Sequence, residues 1–147
     1  MAADIERSAQ AVWSGDLKSG QGRFSAASGL LKDTPYSFKT RFEQEPGTNP
    51  EELIAAAHAA CYSMAFAHTL SSKGHAPQRV ETRAVCSLSA KEGGGFEVSR
   101  IRLETRGQVP GLDAATFQQI AEEAEKSCPV SNALRGGVKI ELNASLM

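Results

Sequence analysis

The chain has 147 residues, 41% hydrophobic and 22% charged, with a net charge of −1. That length suits a single domain, 1–147, which can bury roughly two-thirds of its unfolded-chain surface and needs no disulfide staple. The balanced, interspersed charge argues against the basic footprint of a nucleic-acid binder and against a polybasic membrane-surface block.

Three cysteines is an odd count, a poor fit to a disulfide framework. The N-terminus, Met1-Ala2-Ala3-Asp4-Ile5-Glu6-Arg7, has no apolar run after a basic stretch. A cytoplasmic location with reduced thiols is therefore expected, so each cysteine is either packing material or chemistry.

In chain order, Gln10–Gly15 and Gly22–Ala27 are short strands around a turn-rich stretch. Tyr36–Glu43 alternates and predicts a strand, with Tyr36, Phe38, Thr40 and Phe42 on one face. The loop Pro46-Gly47-Thr48-Asn49 then leads into a helix start, where Pro50, Glu51 and Glu52 suit the first turn. The helix should run to about Lys73 and stop at Gly74. Residues 53–70 contain no Asp, Glu, Lys or Arg, which reaches the lower limit for a membrane span. His58, Ser63, His68 and Thr69 and many alanines make it a buried core helix instead.

Gln78–Ala90 is the next strand, with Val80, Thr82, Ala84, Cys86 and Leu88 on one face, and Glu92-Gly93-Gly94-Gly95 turns it back. The return strand, Phe96 to about Val109, shifts phase between Val98 and Ile101, as at a bulge. Asp113 caps a second helix whose Phe117, Ile120, Ala121, Ala124 and Cys128 share a face. Pro129 breaks it, a short helical piece Val130–Leu134 follows, and the last strand alternates from Val138 to Leu146. About six paired strands and two main helices define an α+β fold with largely antiparallel sheet.

Most lone cysteines are small buried hydrophobes, and Cys86 fits that description on a strand's buried face. Cys61 and Cys128 both lie on core-facing helix positions, 67 residues apart, and can meet. A thiol that attacks peroxide becomes a sulfenic acid, which a second thiol converts to a protected disulfide. A reactive thiol also needs a cation or a helix N-terminus. Cys61 lies three turns inside its own helix, so that helix's dipole contributes little. Arg41 is a candidate cation and Glu51 a candidate partner for it, although from position alone a surface ion pair or a simple helix cap is the favoured account. His58 lies one turn before Cys61, and a zinc site on Cys61, Cys128 and His58 is an alternative, without a CxxC or HxxxH pattern to support it. His68 and His75 are structural or solvent-exposed.

Asn49-Pro50-Glu51-Glu52-Leu53-Ile54-Ala55-Ala56-Ala57-His58-Ala59-Ala60-Cys61 resembles the central helix of the OsmC/Ohr family of hydroperoxide reductases. Ser127-Cys128-Pro129-Val130-Ser131 resembles the family's second cysteine motif. Thr40-Arg41-Phe42-Glu43 and Trp13-Ser14-Gly15-Asp16 resemble the OsmC branch, and the similarity runs from about Ala11 to Leu142. The resemblance implies an OsmC-like α+β fold, with strands wrapped around long central helices in an intertwined homodimer. It implies a thiol-dependent peroxidase of organic hydroperoxides, weaker on hydrogen peroxide, working in oxidative or osmotic stress. It assigns peroxide attack to Cys61, resolution to Cys128 and the paired charges to Arg41 and Glu51, with active sites at the subunit interface. No metal and no organic cofactor is expected; the partners are a peroxide and a dithiol reductant, with no nucleic acid and no membrane. The Ohr branch takes its arginine from a glycine-rich turn near the N-terminus. Here Lys18-Ser19-Gly20-Gln21-Gly22 has none and Arg23 is offset, which favours Arg41.

Glu51 and Cys61 are ten residues apart. On one unbroken helix that is about 15 Å of rise and about 80° off a common face. Either the helix bends, or Arg41 and Glu51 reach Cys61 from a partner chain. The rival expectation is a ligand-binding or stress module whose buried thiols are inert.

Overall fold

The computed structural model describes residues 3–147. Two compact units divide the chain, the first ending at Pro50 and the second beginning at Glu51.

In the first unit, β1 (Ala9–Ser14), β2 (Gln21–Ala26) and β3 (Thr34–Tyr36) form an antiparallel sheet in that order. Asp16 closes the first turn, accepting hydrogen bonds from the Ser19 backbone N–H at 2.7 Å and its hydroxyl at 2.6 Å. Gly22 lies opposite both Trp13 and Tyr36. A Cβ there would stand 2.6 Å from one ring and 2.5 Å from the other, so only glycine lets the two aromatics close to 5.5 Å.

The strand expected over Tyr36–Glu43 is instead the end of β3 followed by a short helix, α1 (Phe38–Phe42). Ser37 is its N-cap: its hydroxyl accepts from the Thr40 N–H while the Thr40 hydroxyl accepts from the Ser37 N–H, a reciprocal capping box. Phe38 and Phe42, four residues apart, then stack at 4.8 Å. Two caps and an i, i+4 ring pair outweigh the alternating pattern.

The second unit is built on α2 (Pro50–Ser72). Its end is a Schellman motif: Gly74, at φ 84°, donates to the Ser71 carbonyl and His75 to the Leu70 carbonyl. By length and composition this helix could cross a membrane, but it lies mid-chain and packs Tyr62, Phe66 and Leu70 into the core, as a core helix does. His58 and Thr69 are buried beside that stripe, and Ile54, Cys61 and Ala65 are partly covered. Ala56, Ala57, Ala60, Met64 and His68 on the remaining surface are exposed, Met64 at 76%.

Beside α2 lies a sheet of β4 (Arg79–Ala90), β5 (Phe96–Gln108) and β6 (Lys139–Leu146) in that order. β4 and β5 form an antiparallel hairpin, and the expected bulge is present: Ser87 pairs with Arg100 but Leu88 with Val98, leaving Ser99 as the extra residue. β5 and β6 are parallel, the exception in a mainly antiparallel fold. A parallel pair needs a long crossover, and α3 (Ala114–Ser127) with α4 (Pro129–Leu134) supplies it.

Asp113 caps α3 as expected, accepting from the Thr116 N–H at 3.1 Å. Ile101, Leu103, Phe117, Ile120, Ala121 and Ala124 join Tyr62, Phe66 and Leu70 in one buried cluster. Phe117 packs on Phe66 at 5.0 Å, and a Cβ on Gly107 would come within 2.6 Å of the Phe117 ring. Full burial of such side chains stabilises the unit by about 1.5–3 kcal/mol each.

Candidate active site

His58, Cys61 and Tyr62 occupy α2 positions i, i+3 and i+4, so they project from one face. Cys128 lies at the break between α3 and α4, as C-cap of one and N-cap of the other. Its extended backbone, φ −71° and ψ 117°, is what a residue before proline adopts. The break aims its side chain at α2, and the Cys128 and Cys61 sulfurs stand 3.6 Å apart. All three cysteines are free thiols; Cys128 is buried and Cys61 partly buried.

Desolvation is the main influence on Cys61 and raises its pKa above the ordinary thiol value, and the neighbouring Cys128 adds to the rise. One group pulls the other way: the nearby Val130 backbone N–H, which lowers it. Val130 is in the first turn of α4, just after the Cys128-Pro129 break. The group that lowers the thiol's pKa thus belongs to the start of α4 and not to α2 itself. Sequence reasoning missed this donor; the signal was Pro129 opening a new helix directly after the cysteine.

Ser131 was missed as well. Its hydroxyl lies 2.6 Å from His58 Nε2, and both residues are fully buried. His58 Nδ1 is buried with no hydrogen-bond partner. Burial is the first cause that lowers the His58 pKa; Glu125 opposes it and Arg135 reinforces it. Arg135 binds the Glu125 carboxylate at 2.9 Å and its backbone carbonyl at 3.2 Å, joining the end of α4 to the end of α3. Tyr62 donates to the Ala121 carbonyl at 2.8 Å, and burial raises its pKa strongly.

The zinc alternative finds no support: among the described residues no three His, Cys, Asp or Glu side chains form a metal-binding group. His58 has already committed Nε2 to Ser131. Cys86 sits on the sheet's inner face, partly buried, its pKa raised by burial and then by the Glu51 carboxylate. Glu51 is buried in the first turn of α2. Arg41 lies in α1 of the first unit, its guanidinium 5.2 Å from the centre of the Phe42 ring.

Two thiols in contact across a helix break, on an α+β scaffold, define a protein of the two-cysteine thiol class. A family model described as OsmC-like protein matches residues 42–143, and the chain belongs to that family. It is 47% identical to Peroxiredoxin OsmC of Escherichia coli (strain K12), covering 93% of this chain and 95% of that one. Among solved structures it is similar to an organic hydroperoxide resistance protein OsmC from Legionella pneumophila, with TM-score 0.76 and 26% identity over 98% and 99% of the two chains. It is also similar to the organic hydroperoxide resistance protein OhrB of Bacillus subtilis, with TM-score 0.74 and 28% identity over 93% and 97%.

Proposed function

We propose that this protein is a thiol-dependent peroxidase that reduces organic hydroperoxides, and hydrogen peroxide more weakly, in oxidative or osmotic stress. The observation that carries the proposal is the 3.6 Å contact between two sulfurs 67 residues apart in sequence. Its relatives, named as a peroxiredoxin and as organic hydroperoxide resistance proteins, point the same way.

The Cys61 thiolate attacks the distal peroxide oxygen. The O–O bond breaks, the alkoxide takes a proton and leaves as an alcohol, and Cys61 becomes a sulfenic acid. The Cys128 sulfur then attacks the Cys61 sulfur. An S–S bond forms, the S–O bond breaks, and the hydroxyl leaves as water with the Cys128 proton. A dithiol reductant takes the disulfide back to two thiols and is itself oxidised. No step calls for a metal or an organic cofactor.

Burial holds the Cys61 thiol up, so a cation is needed to favour the thiolate. On the resemblance of their motifs, that part falls to Arg41, oriented by Glu51. Residues 1–147 act in this proposal as one functional domain of a cytoplasmic homodimer with intertwined chains. The support for a dimer is the uncharged, alanine-rich side of α2 that carries the exposed Met64.

The deciding experiment is a peroxidase assay across alkyl hydroperoxides and hydrogen peroxide, with mass spectrometry of the product. Rapid stoichiometric thiol loss and a Cys61–Cys128 disulfide are expected. Thiols that survive excess hydroperoxide would leave an inert module. A monodisperse, fully active monomer would remove the dimer.

A further inference from the structure

We propose that the His58–Ser131 hydrogen bond positions the resolving step, pinning the helix that carries Cys61 to the one that follows Cys128. The inference rests on the two-cysteine reading above and adds a role for two residues outside it.

The sulfurs must close from 3.6 Å to the ~2.05 Å of a disulfide. Cys128 is poorly placed to hold that geometry by itself. It is a non-helical residue between two helices, and its N–H reaches the Glu125 carbonyl only at 3.4 Å. The helix after it has six residues, and one that short is marginal without tertiary ties. The Arg135–Glu125 pair ties its far end back to α3, not to α2.

The His58–Ser131 bond does reach α2. His58 is three residues before Cys61 and Ser131 three residues after Cys128, so the bond lies about one helical turn from the sulfur pair on both elements. It is 2.6 Å long and has no access to water. A buried hydrogen bond is strong, and costly to leave half-made. The unpartnered Nδ1 fixes the tautomer. A neutral ring with its proton on Nε2 donates to Ser131 and leaves Nδ1 a bare lone pair. A second proton would bury an unmatched N–H. The lowered His58 pKa agrees with that neutral ring.

The test separates the two half-reactions in the full-length protein: sulfenate formation trapped by a cyclic diketone, and disulfide formation followed by quenched mass spectrometry. Ser131→Ala removes the hydroxyl. Ser131→Ala with His58→Leu removes both polar partners, a change that is nearly neutral for stability when the shape is kept. His58→Gln is the rescue, since a glutamine amide nitrogen reaches the Nε2 position. In the single and double variants sulfenate formation stays within about twofold of wild type, while disulfide formation slows about tenfold, the rate equivalent of about 1.4 kcal/mol. Cys61 sulfinic acid rises accordingly, and His58→Gln restores the wild-type ratio of the two rates. Disulfide formation at wild-type rate in the double variant overturns the inference. So does an equal slowing of both steps, the mark of a merely structural role. Cys128→Ser run alongside separates the two levels: if it resolves at wild-type rate, the two-cysteine reading falls with its dependents. If it alone is slow, only the positioning role falls.

Discussion

On the proposed mechanism, replacing Cys128 by serine should separate attack on peroxide from protection of the product. The sulfurs stand 3.6 Å apart, just outside the ~3–3.5 Å of a near-attack pair. An effective molarity of about 1 M is far below the ~10⁵ M of a fully oriented pair, yet it exceeds an external thiol at about 1 mM by about a thousandfold. Cys128→Ser should therefore leave the first turnover at its wild-type rate and slow removal of the sulfenate at least about a thousandfold at that thiol concentration. Cys128 is fully buried, and an unpaired hydroxyl there costs roughly 1–3 kcal/mol. Cys128→Ala, which buries no hydroxyl, controls for this. Stopped-flow peroxide consumption gives the first rate, and free-thiol counting with mass spectrometry of Cys61 gives the second. Multi-turnover rates equal to wild type in both variants would take Cys128 out of the mechanism.

Cys61→Ser should abolish peroxide consumption altogether, and a near-wild-type rate in the same assay would move the nucleophile elsewhere. Arg41→Met should shift the midpoint of Cys61 alkylation to higher pH; an unmoved midpoint would take the activating role from Arg41. Phe117→Ala should cost roughly 3–5 kcal/mol in urea unfolding, because the ring fills the space between Phe66 and Gly107. A cost under about 1 kcal/mol would show that the site collapses around the loss. His58 gives a pH dependence. Its folded pKa lies below its unfolded value, so the unfolded chain takes up the proton first on acidification. Its contribution to stability is whole above about pH 6.5 and is lost as pH falls toward the folded pKa. His58→Gln should remove that segment of the pH profile, Glu125 and Arg135 remaining in place; an unchanged profile would assign the slope to other groups.

Local chemistry written in side chains was legible. Asp113 announced a helix start, Gly93-Gly94-Gly95 a hairpin, and the phase shift around Ser99 a bulge. The two cysteines were found because core-facing spacing put both on the same side of their helices. α1 was misread for a physical reason. Residues 38 and 42 are separated by four positions, which is both twice a strand period and one helical turn. The Ser37–Thr40 box that decides between them lacks the usual acidic residue. The direction of β6 was hidden because alternation reports which face is buried, not which way the strand runs. The Val130 N–H was hidden because a backbone donor has no letter of its own. Ser131 was overlooked because a serine in a helix start is ordinarily read as a local cap.

The contact between Cys61 and Cys128 also has a topological side. Sealing it encloses a loop of 67 residues, and that loop takes in both long strands and all of α3. A cross-link over that span removes about 4 kcal/mol of chain entropy from the unfolded ensemble. The polypeptide would thus alternate between an open thread and a covalent ring with every turnover. On the proposed mechanism the ring form would withstand heat and denaturant longer, so the state formed just after an oxidative insult would be the one best able to stay folded through it.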